Sequence, residues 1–120
     1  MDGDFNIADY RGLLIIEVMV EKFDFFLISE HSVRLRGLLE ERHHPSIIFD
    51  FTGVRFIDSS VFGFLLEVRT SVEKHGNDIA IVCSDPEVLH IMRMLKVTQI
   101  MQVFGTRDKA ADYLNSLQDM

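Results

Sequence analysis

The sequence predicts an α/β protein with a mixed, mostly parallel β-sheet and about four helices. Two apolar runs, residues 47–51 (interrupted only by Asp50) and 79–83, have the composition of strands that are covered on both faces. Strands of this kind alternate with helical patterns of about 10–15 residues, which favours βαβ crossovers and parallel pairing. The chain has 120 residues, 48% of them apolar, which is enough for one core, and we assign residues 1–120 to a single domain.

The N-terminal part of the sequence predicts a hairpin followed by a helix. Residues 5–10 and 13–20 predict two strands, and the Arg-Gly pair between them favours a tight turn. Ser29 is expected to cap a first helix that runs to about residue 42. This helix ends before Pro45, because proline disfavours helical geometry in the residue that precedes it.

The longest helical pattern begins at Ser60 and runs to about residue 75. Gly76 and Asn77 then favour a C-cap and a turn. The apolar residues of this helix recur at the spacing of one buried face, at Val61, Leu65, Val68 and Val72.

The C-terminal part predicts two more helices with a strand between them. Asp85 followed by Pro86 favours the start of the third helix, because proline suits the first helical position, and this helix runs to about residue 95. Residues 100–104 predict the last strand, and residues 106–117 predict the last helix.

The composition restricts the classes of function. The formal net charge is −7 and the basic residues are scattered, with Arg34 and Arg36 expected on a solvated helix face, so nucleic acid is not an expected partner. No run approaches the roughly 20 apolar residues that span a bilayer, and the Met-Asp-Gly-Asp start lacks the basic residues of a signal peptide. We therefore expect a cytoplasmic protein without membrane insertion. Cys83, the single cysteine, is expected to be a small buried hydrophobe.

The junction between residues 46 and 66 is the most informative part of the sequence. An apolar strand runs into a turn, and Asp58, Ser59 and Ser60 stand where the next helical pattern begins. Asp and Ser cap helices because their side-chain oxygens accept hydrogen bonds from N–H groups of the first turn. The helix dipole also favours an anion there, including a phosphate carried by a serine. These residues alone leave two interpretations open, a simple cap or a phosphorylation switch.

A longer motif surrounds these residues. Residues 50–60 read Asp-Phe-Thr-Gly-Val-Arg-Phe-Ile-Asp-Ser-Ser and are followed by Phe62, Gly63 and an apolar helix. This pattern resembles the STAS domain family and, within it, the stand-alone anti-anti-sigma factors (anti-sigma factor antagonists) of bacteria. The resemblance extends over nearly the whole chain and implies a single STAS domain. Val61 departs from the family, which usually has Gly or Ala at that position.

The resemblance implies a partner-switching regulator. The serine that directly follows the Asp is phosphorylated in the family, which corresponds to Ser59 here; Asp58 is then a cap, and Ser60 a weaker candidate. The unphosphorylated protein would bind an anti-sigma factor that is also a serine kinase with an ATP-binding domain. Phosphorylation would release the protein, and a PPM-type serine phosphatase would reset it. Asp24 is implied to lie on the same rim as Ser59 and to contact the kinase.

Phe62 and Gly63 are further candidates for contact with a partner. The ring of Phe62 lies beside Ser59 in the predicted helix, and packing against neighbouring helices is an equal alternative for it. Glycine in a helix is less stable than alanine by about 1 kcal/mol, so we expect another backbone to approach Gly63 closely.

The sequence offers no catalytic or metal-binding apparatus. His43 and His44 are adjacent and point apart, so they are expected to be solvated loop residues. Ser59 lacks the glycine-flanked elbow of serine hydrolases, and the glycine-rich phosphate-binding motifs are missing. We therefore expect neither an enzyme nor a cofactor. The main alternative function is a non-switching STAS subunit of an ABC-type lipid transport complex, in which Ser59 would be only structural.

Overall fold

The computed structural model describes residues 3–119. Its strands and helices alternate along most of the chain, after an N-terminal hairpin. In chain order the elements are β1 (Phe5–Tyr10), β2 (Leu13–Val18), β3 (Lys22–Phe23), α1 (Phe25–Glu41), β4 (Ile47–Asp50), β5 (Phe56–Ile57), α2 (Ser59–Glu73), β6 (Ile79–Val82), α3 (Pro86–Met94), a 3₁₀ helix (Val97–Gln99), β7 (Gln102–Phe104) and α4 (Arg107–Gln118).

Five strands form one mixed sheet in the order β1-β2-β4-β6-β7. β1 pairs antiparallel with β2, whereas the pairs β2–β4, β4–β6 and β6–β7 are parallel. The register places Asp50 between Glu17 and Val82, so the carboxyl ends of the central strands meet at one edge. A mostly parallel sheet with four α-helices within residues 3–119 confirms the predicted fold class.

Helices cover both faces of this sheet. Along β4, Ile47 and Phe49 belong to a core that includes buried residues of α1, α2 and α3, while Ile48 packs with Ala110 and Leu114 of α4. These three residues of β4 are at most 1% exposed. Burial of one such side chain stabilises the fold by about 1.5–3 kcal/mol, so this apolar run of the sequence becomes the central strand.

A second, two-stranded sheet was not predicted. β3 and β5 pair in parallel, with Lys22 beside Phe56 and Phe23 beside Ile57. Each strand has only two residues, which is too short for an alternating pattern to show in the sequence. Because α1 follows β3 and α2 follows β5, this pairing sets the N-termini of the two helices side by side.

The first helix begins five residues earlier than predicted. Asp24 is its N-cap, and the Asp24 carboxylate accepts a hydrogen bond from the Leu27 N–H at 3.2 Å. The prediction that Ser29 caps this helix is wrong, because Ser29 lies inside α1 and is exposed. Phe25 and Phe26 obscured the start, since two apolar residues in a row do not fit the polar first turn of a surface helix.

Other boundaries differ from prediction by one or two residues. β2 ends at Val18 rather than at residue 20, and β7 begins at Gln102 rather than at residue 100. α2 begins at Ser59, one residue earlier than predicted, because Asp58 is its N-cap. Helix ends commonly shift by this amount, and the order of elements is unaffected.

The helix α2 presents its predicted apolar stripe to the core. Val61, Leu65, Val68 and Val72 are all buried. Val61 is 0% exposed, so the branched side chain at this unusual position fills the core and not the surface next to Ser59. The turn after the helix contains Gly76 at a φ of +77°, a conformation that glycine adopts without steric strain.

The predictions for the cysteine and for membrane-spanning segments can be compared with the structure. Cys83 is buried with a free thiol directly after β6, as predicted. Within residues 3–119, no helix combines the length and the apolar character needed to cross a membrane.

Candidate functional site

Three helices begin at the same end of the molecule, each behind an aspartate. Asp24 caps α1, Asp58 caps α2 and Asp85 caps α3. Each carboxylate accepts a hydrogen bond from an N–H group of its own first turn, which confirms the capping roles predicted for Asp58 and Asp85. We call this surface, formed by residues 24–27, 58–61 and 85–88, the N-terminal rim.

Asp58 joins two of these helices. Its Oδ1 accepts a hydrogen bond from the Ser60 N–H at 3.0 Å, which caps α2. Its Oδ2 accepts a hydrogen bond from the Phe25 N–H at 3.1 Å, which is the first amide of α1. One carboxylate therefore stabilises the N-termini of α1 and α2 and fixes the distance between them.

The environment of Asp58 keeps its carboxylate ionised at neutral pH. Partial burial alone would raise its pKa, but hydrogen bonds from the Ser60 hydroxyl and from the N–H groups of Phe25, Ser60 and Val61 outweigh that effect and lower the pKa below its ordinary value. Asp58 therefore acts as an anionic acceptor at neutral pH and is not suited to donate a proton.

The two serines after Asp58 differ in what their hydroxyl groups do. The Ser60 hydroxyl donates a hydrogen bond to Asp58 Oδ1 and is half-buried. Ser59 is the first residue of α2 and is exposed. Among residues 3–119, no hydrogen bond involves the Ser59 hydroxyl. Ser59 is therefore the serine of this pair that a modifying enzyme can reach without breaking a contact.

The other two caps of the N-terminal rim are paired with cations. Lys22 Nζ lies 3.8 Å from Asp24 Oδ2, and Arg55 Nη1 lies 3.1 Å from Asp85 Oδ2. The Asp24 side chain is only 14% exposed, so most of its surface is committed to capping α1. The structure thus places Asp24 on the same rim as Ser59, and its predicted contact with a kinase stays a prediction.

Phe62 and Gly63 lie in the first turns of α2 but differ in exposure. Phe62 is half-buried and packs against the main core, which leaves part of its ring at the surface. Gly63 is exposed, and a Cβ added there would meet nothing within 4 Å. The expected close approach of another backbone to Gly63 is therefore wrong within this chain.

The sequence prediction missed three exposed aromatic rings near Ser59. Phe25, Phe26 and Phe56 are 57%, 77% and 42% exposed. The rings of Phe25 and Phe26 contact each other edge to face, with centroids 5.8 Å apart. The Phe25 backbone bonds to Asp58, the residue before Ser59. The sequence signal that could have revealed these rings is the helix-capping residue Asp24 directly before two phenylalanines.

Within residues 3–119, one group of side chains has the ligand types of a metal site. Asp4, Glu30 and His31 bring their ligand atoms within 4.8 Å of one another. His31 is 1% exposed, its Nε2 lies 2.8 Å from Asp4 Oδ2, and its Nδ1 is buried without a partner in the described part of the chain. A metal on Nε2 would leave the ring proton on Nδ1 with no acceptor, whereas metal-bound histidines donate that proton. These residues fit a buried His–Asp contact better than a metal site.

His44 differs from its predicted environment. It is half-buried, its Nδ1 lies 3.0 Å from Ser71 Oγ, and its ring stacks on His75 with centroids 4.3 Å apart. The expected solvated loop position is therefore wrong for His44, although His43 is exposed. His44 is partly covered because the loop after α1 packs on the C-terminal end of α2 and the turn that follows it.

The family of the protein follows from its sequence match and fold. The chain matches the STAS domain family over residues 5–110, and it belongs to this family. No curated protein has a sequence that matches this chain significantly.

Solved structures share the fold at low sequence identity. An anti-sigma factor antagonist from Mycobacterium paratuberculosis has a TM-score of 0.79 at 14% identity, over 92% of both chains. The anti-sigma factor antagonist SpoIIAA in its unphosphorylated form has a TM-score of 0.74 at 17% identity, over 93% of this chain and 96% of its own. The phosphorylated form of SpoIIAA, a cell fate determinant of Bacillus, has a TM-score of 0.65 at 17% identity, over 91% of this chain and 97% of its own. The protein therefore has the SpoIIAA-like STAS fold.

Proposed function

We propose that this protein is an anti-sigma factor antagonist that works by partner switching. Unphosphorylated, it binds an anti-sigma factor that is also a serine kinase; phosphorylated on Ser59, it is released. Membership of the STAS family and a fold shared with anti-sigma factor antagonists support this proposal. One of those antagonists, SpoIIAA, has both an unphosphorylated and a phosphorylated form. The observation that carries the proposal is the exposed Ser59 at the first position of α2.

The chemistry of the switch requires only an accessible hydroxyl from this protein. Ser59 Oγ attacks the γ-phosphorus of ATP in the kinase, the bond to the leaving ADP breaks, and a base of the kinase takes the hydroxyl proton. A PPM-type serine phosphatase reverses the change, since attack by water on the phosphorus returns the Ser59 hydroxyl and inorganic phosphate. The protein is thus a substrate and a binding partner, not an enzyme, and it acts in the cytoplasm without nucleic acid contact.

Phosphorylation is expected to leave the fold intact. A phosphate adds a charge of about −1.5 to −2 at neutral pH. The N-terminus of α2 stabilises an anion by roughly 0.3–1 kcal/mol, and repulsion from the ionised Asp58 opposes this by a similar amount. Ser59 is exposed, so the phosphate stays in water and carries no burial penalty within the chain.

Binding is expected to respond far more strongly than folding. A partner that covers the N-terminal rim buries the surface around Ser59, and a phosphate there becomes a buried charge without a counter-charge in the interface. Such a change weakens binding by about 2–5 kcal/mol, which is roughly 30-fold to several-thousand-fold in affinity. The switch therefore controls docking.

Incubation with a candidate kinase and ATP tests the proposal directly. We expect one phosphate per chain, located on Ser59 by mass spectrometry. Ser59→Ala should stay unmodified and still bind the kinase, because the hydroxyl contributes little to docking. Ser60→Ala is the matched control, and it should still accept the phosphate on Ser59.

Two results would contradict the proposal. Phosphate found on another residue would remove Ser59 from its role. The non-switching STAS subunit would be favoured by a second result: wild type and Ser59→Asp bind a lipid-transport permease equally strongly, and neither binds a kinase. Aspartate carries less charge than phosphate, so the phosphorylated protein itself must be included in the comparison.

A further inference from the structure

The three exposed aromatic rings at and beside the N-terminal rim are unusual for a folded monomer. Phe26 is 77% exposed and Phe25 is 57% exposed, although both follow a capping aspartate in the first turn of α1, where polar residues are common. Phe56 adds a third ring from β5, and Lys22 Nζ lies over it at 5.7 Å from the ring centroid. Clustered exposed aromatic rings mark interaction sites more often than scattered ones do.

We propose that Phe25 and Phe26 are the anchor residues by which this protein docks on its anti-sigma factor kinase, and that they insert into an apolar pocket of that partner. The inference rests on the proposed function and names the surface that gives the complex its affinity. Ser59 contributes the switch, and the aromatic pair contributes the binding.

The position of the pair relative to Ser59 favours this partner. The Phe25 N–H bonds to Asp58 Oδ2 at 3.1 Å, and Asp58 is the neighbour of Ser59 in the chain. A kinase whose active site reaches the Ser59 hydroxyl therefore also covers the first turn of α1. Asp58 holds the aromatic pair and the acceptor serine in a fixed relation, so one rigid surface presents both.

The charges around the pair define the complementary surface of the partner. Asp24 and Asp58 lie in the same two helix starts, and Glu30 lies one turn after Phe26 on α1. The chain as a whole carries a net charge of −7. Lys22 and Arg55 already pair with Asp24 and Asp85 at the rim, so an apolar pocket that brings no cation to Ser59 fits this surface. A phosphate on Ser59 would then lie in the interface without a counter-charge. Basic residues elsewhere on the partner, away from this pocket, would speed association with the acidic protein.

The test uses the kinase that phosphorylates the wild-type chain on Ser59. Its dissociation constant is measured by calorimetry for wild type, Phe26→Ala, Phe25→Ala/Phe26→Ala and the control Met94→Ala. Met94 is also a large exposed apolar residue, 68% exposed, but lies at the other end of α3 from the rim. We expect the double variant to bind at least about 30-fold more weakly, the effect of losing an interface anchor, and Met94→Ala to bind within about threefold of wild type.

Steady-state kinetics provides the second measurement. Loss of docking contacts that do not change during phosphoryl transfer raises KM for the protein substrate and leaves kcat nearly unchanged. Circular dichroism of each variant checks the fold, which should be retained because both rings are exposed.

The outcomes separate this inference from the proposed function. Wild-type affinity and KM in the double variant, with Ser59 still phosphorylated, would overturn the anchor role and leave the switch intact. The wild type could instead form a concentration-dependent dimer that Phe26→Ala dissociates, while kinase binding is unchanged. That result would assign the pair to contact with a second copy of the chain and would also overturn the anchor role. Failure of any kinase to modify Ser59 would overturn the proposed function, and the anchor role with it.

Discussion

Replacement of Asp58 should destabilise the protein more than replacement of an ordinary helix cap. Asp58→Ala removes the acceptor for the Ser60 N–H, which caps α2, and the acceptor for the Phe25 N–H of α1. Loss of a cap costs about 1 kcal/mol, and loss of a hydrogen bond to a charged acceptor costs about 1.5 kcal/mol or more. The sum is about 2.5 kcal/mol, which for a chain of this length lowers the melting temperature by about 10 °C.

Urea denaturation followed by circular dichroism measures this difference. The comparison is Asp24→Ala, which removes the acceptor for the Leu27 N–H of α1 and leaves α2 capped, and should cost only about 1 kcal/mol. Asp58→Asn keeps a capping oxygen and should fall between the two. Equal stabilities of Asp58→Ala and Asp24→Ala, with equal m-values, would refute the idea that Asp58 joins two helices.

Three further predictions concern the pH dependence of Asp58, the Arg107–Asp50 pair and the thiol of Cys83. The pKa of Asp58 is lowered in the folded protein, so its contribution to the free energy of unfolding is present above about pH 4 and is lost at lower pH. Urea titrations across pH should therefore show that the stability advantage of wild type over Asp58→Asn shrinks below about pH 4. A constant difference would contradict this. Arg107→Ala should destabilise by about 1.5–2 kcal/mol in urea, because Arg107 Nε bonds at 2.6 Å to the buried Asp50, which keeps its hydrogen bonds from Thr52. A loss below about 0.5 kcal/mol would show that the pair contributes little. Burial raises the pKa of the Cys83 thiol, so a thiol reagent should modify Cys83 at neutral pH only as fast as the protein unfolds. Rapid labelling of the native protein would contradict the buried position of this thiol.

The sheet and the long helices were predictable because their signals are local. β4 has three apolar residues before Asp50, β6 is wholly apolar, and α2 repeats its apolar residues at helical spacing. Such patterns report burial directly, because each strand or helix must cover its apolar face. The helix starts at Asp58, Asp85 and Thr106 were close to prediction for the same reason, since a capping side chain acts within its own first turn.

The arrangement of the site depends on contacts between distant residues, which no local pattern reports. The bond from the Phe25 N–H to Asp58 joins residues 33 apart, and the bond from Arg107 to Asp50 joins residues 57 apart. The pairing of β3 with β5 that creates the first contact involves only two residues of each strand. The exposed Phe26 opposes the usual expectation that aromatic residues lie inside, which is why the start of α1 was misplaced.

The most direct test compares the affinity of one kinase for the unmodified and the Ser59-phosphorylated protein, with the melting temperature of each form measured in parallel. We expect the phosphorylated protein to bind at least about 30-fold more weakly, while its melting temperature stays within about 3 °C of the unmodified protein. Equal affinities, or a phosphorylated form that loses affinity only because it has unfolded, would contradict the proposed switch at the start of α2.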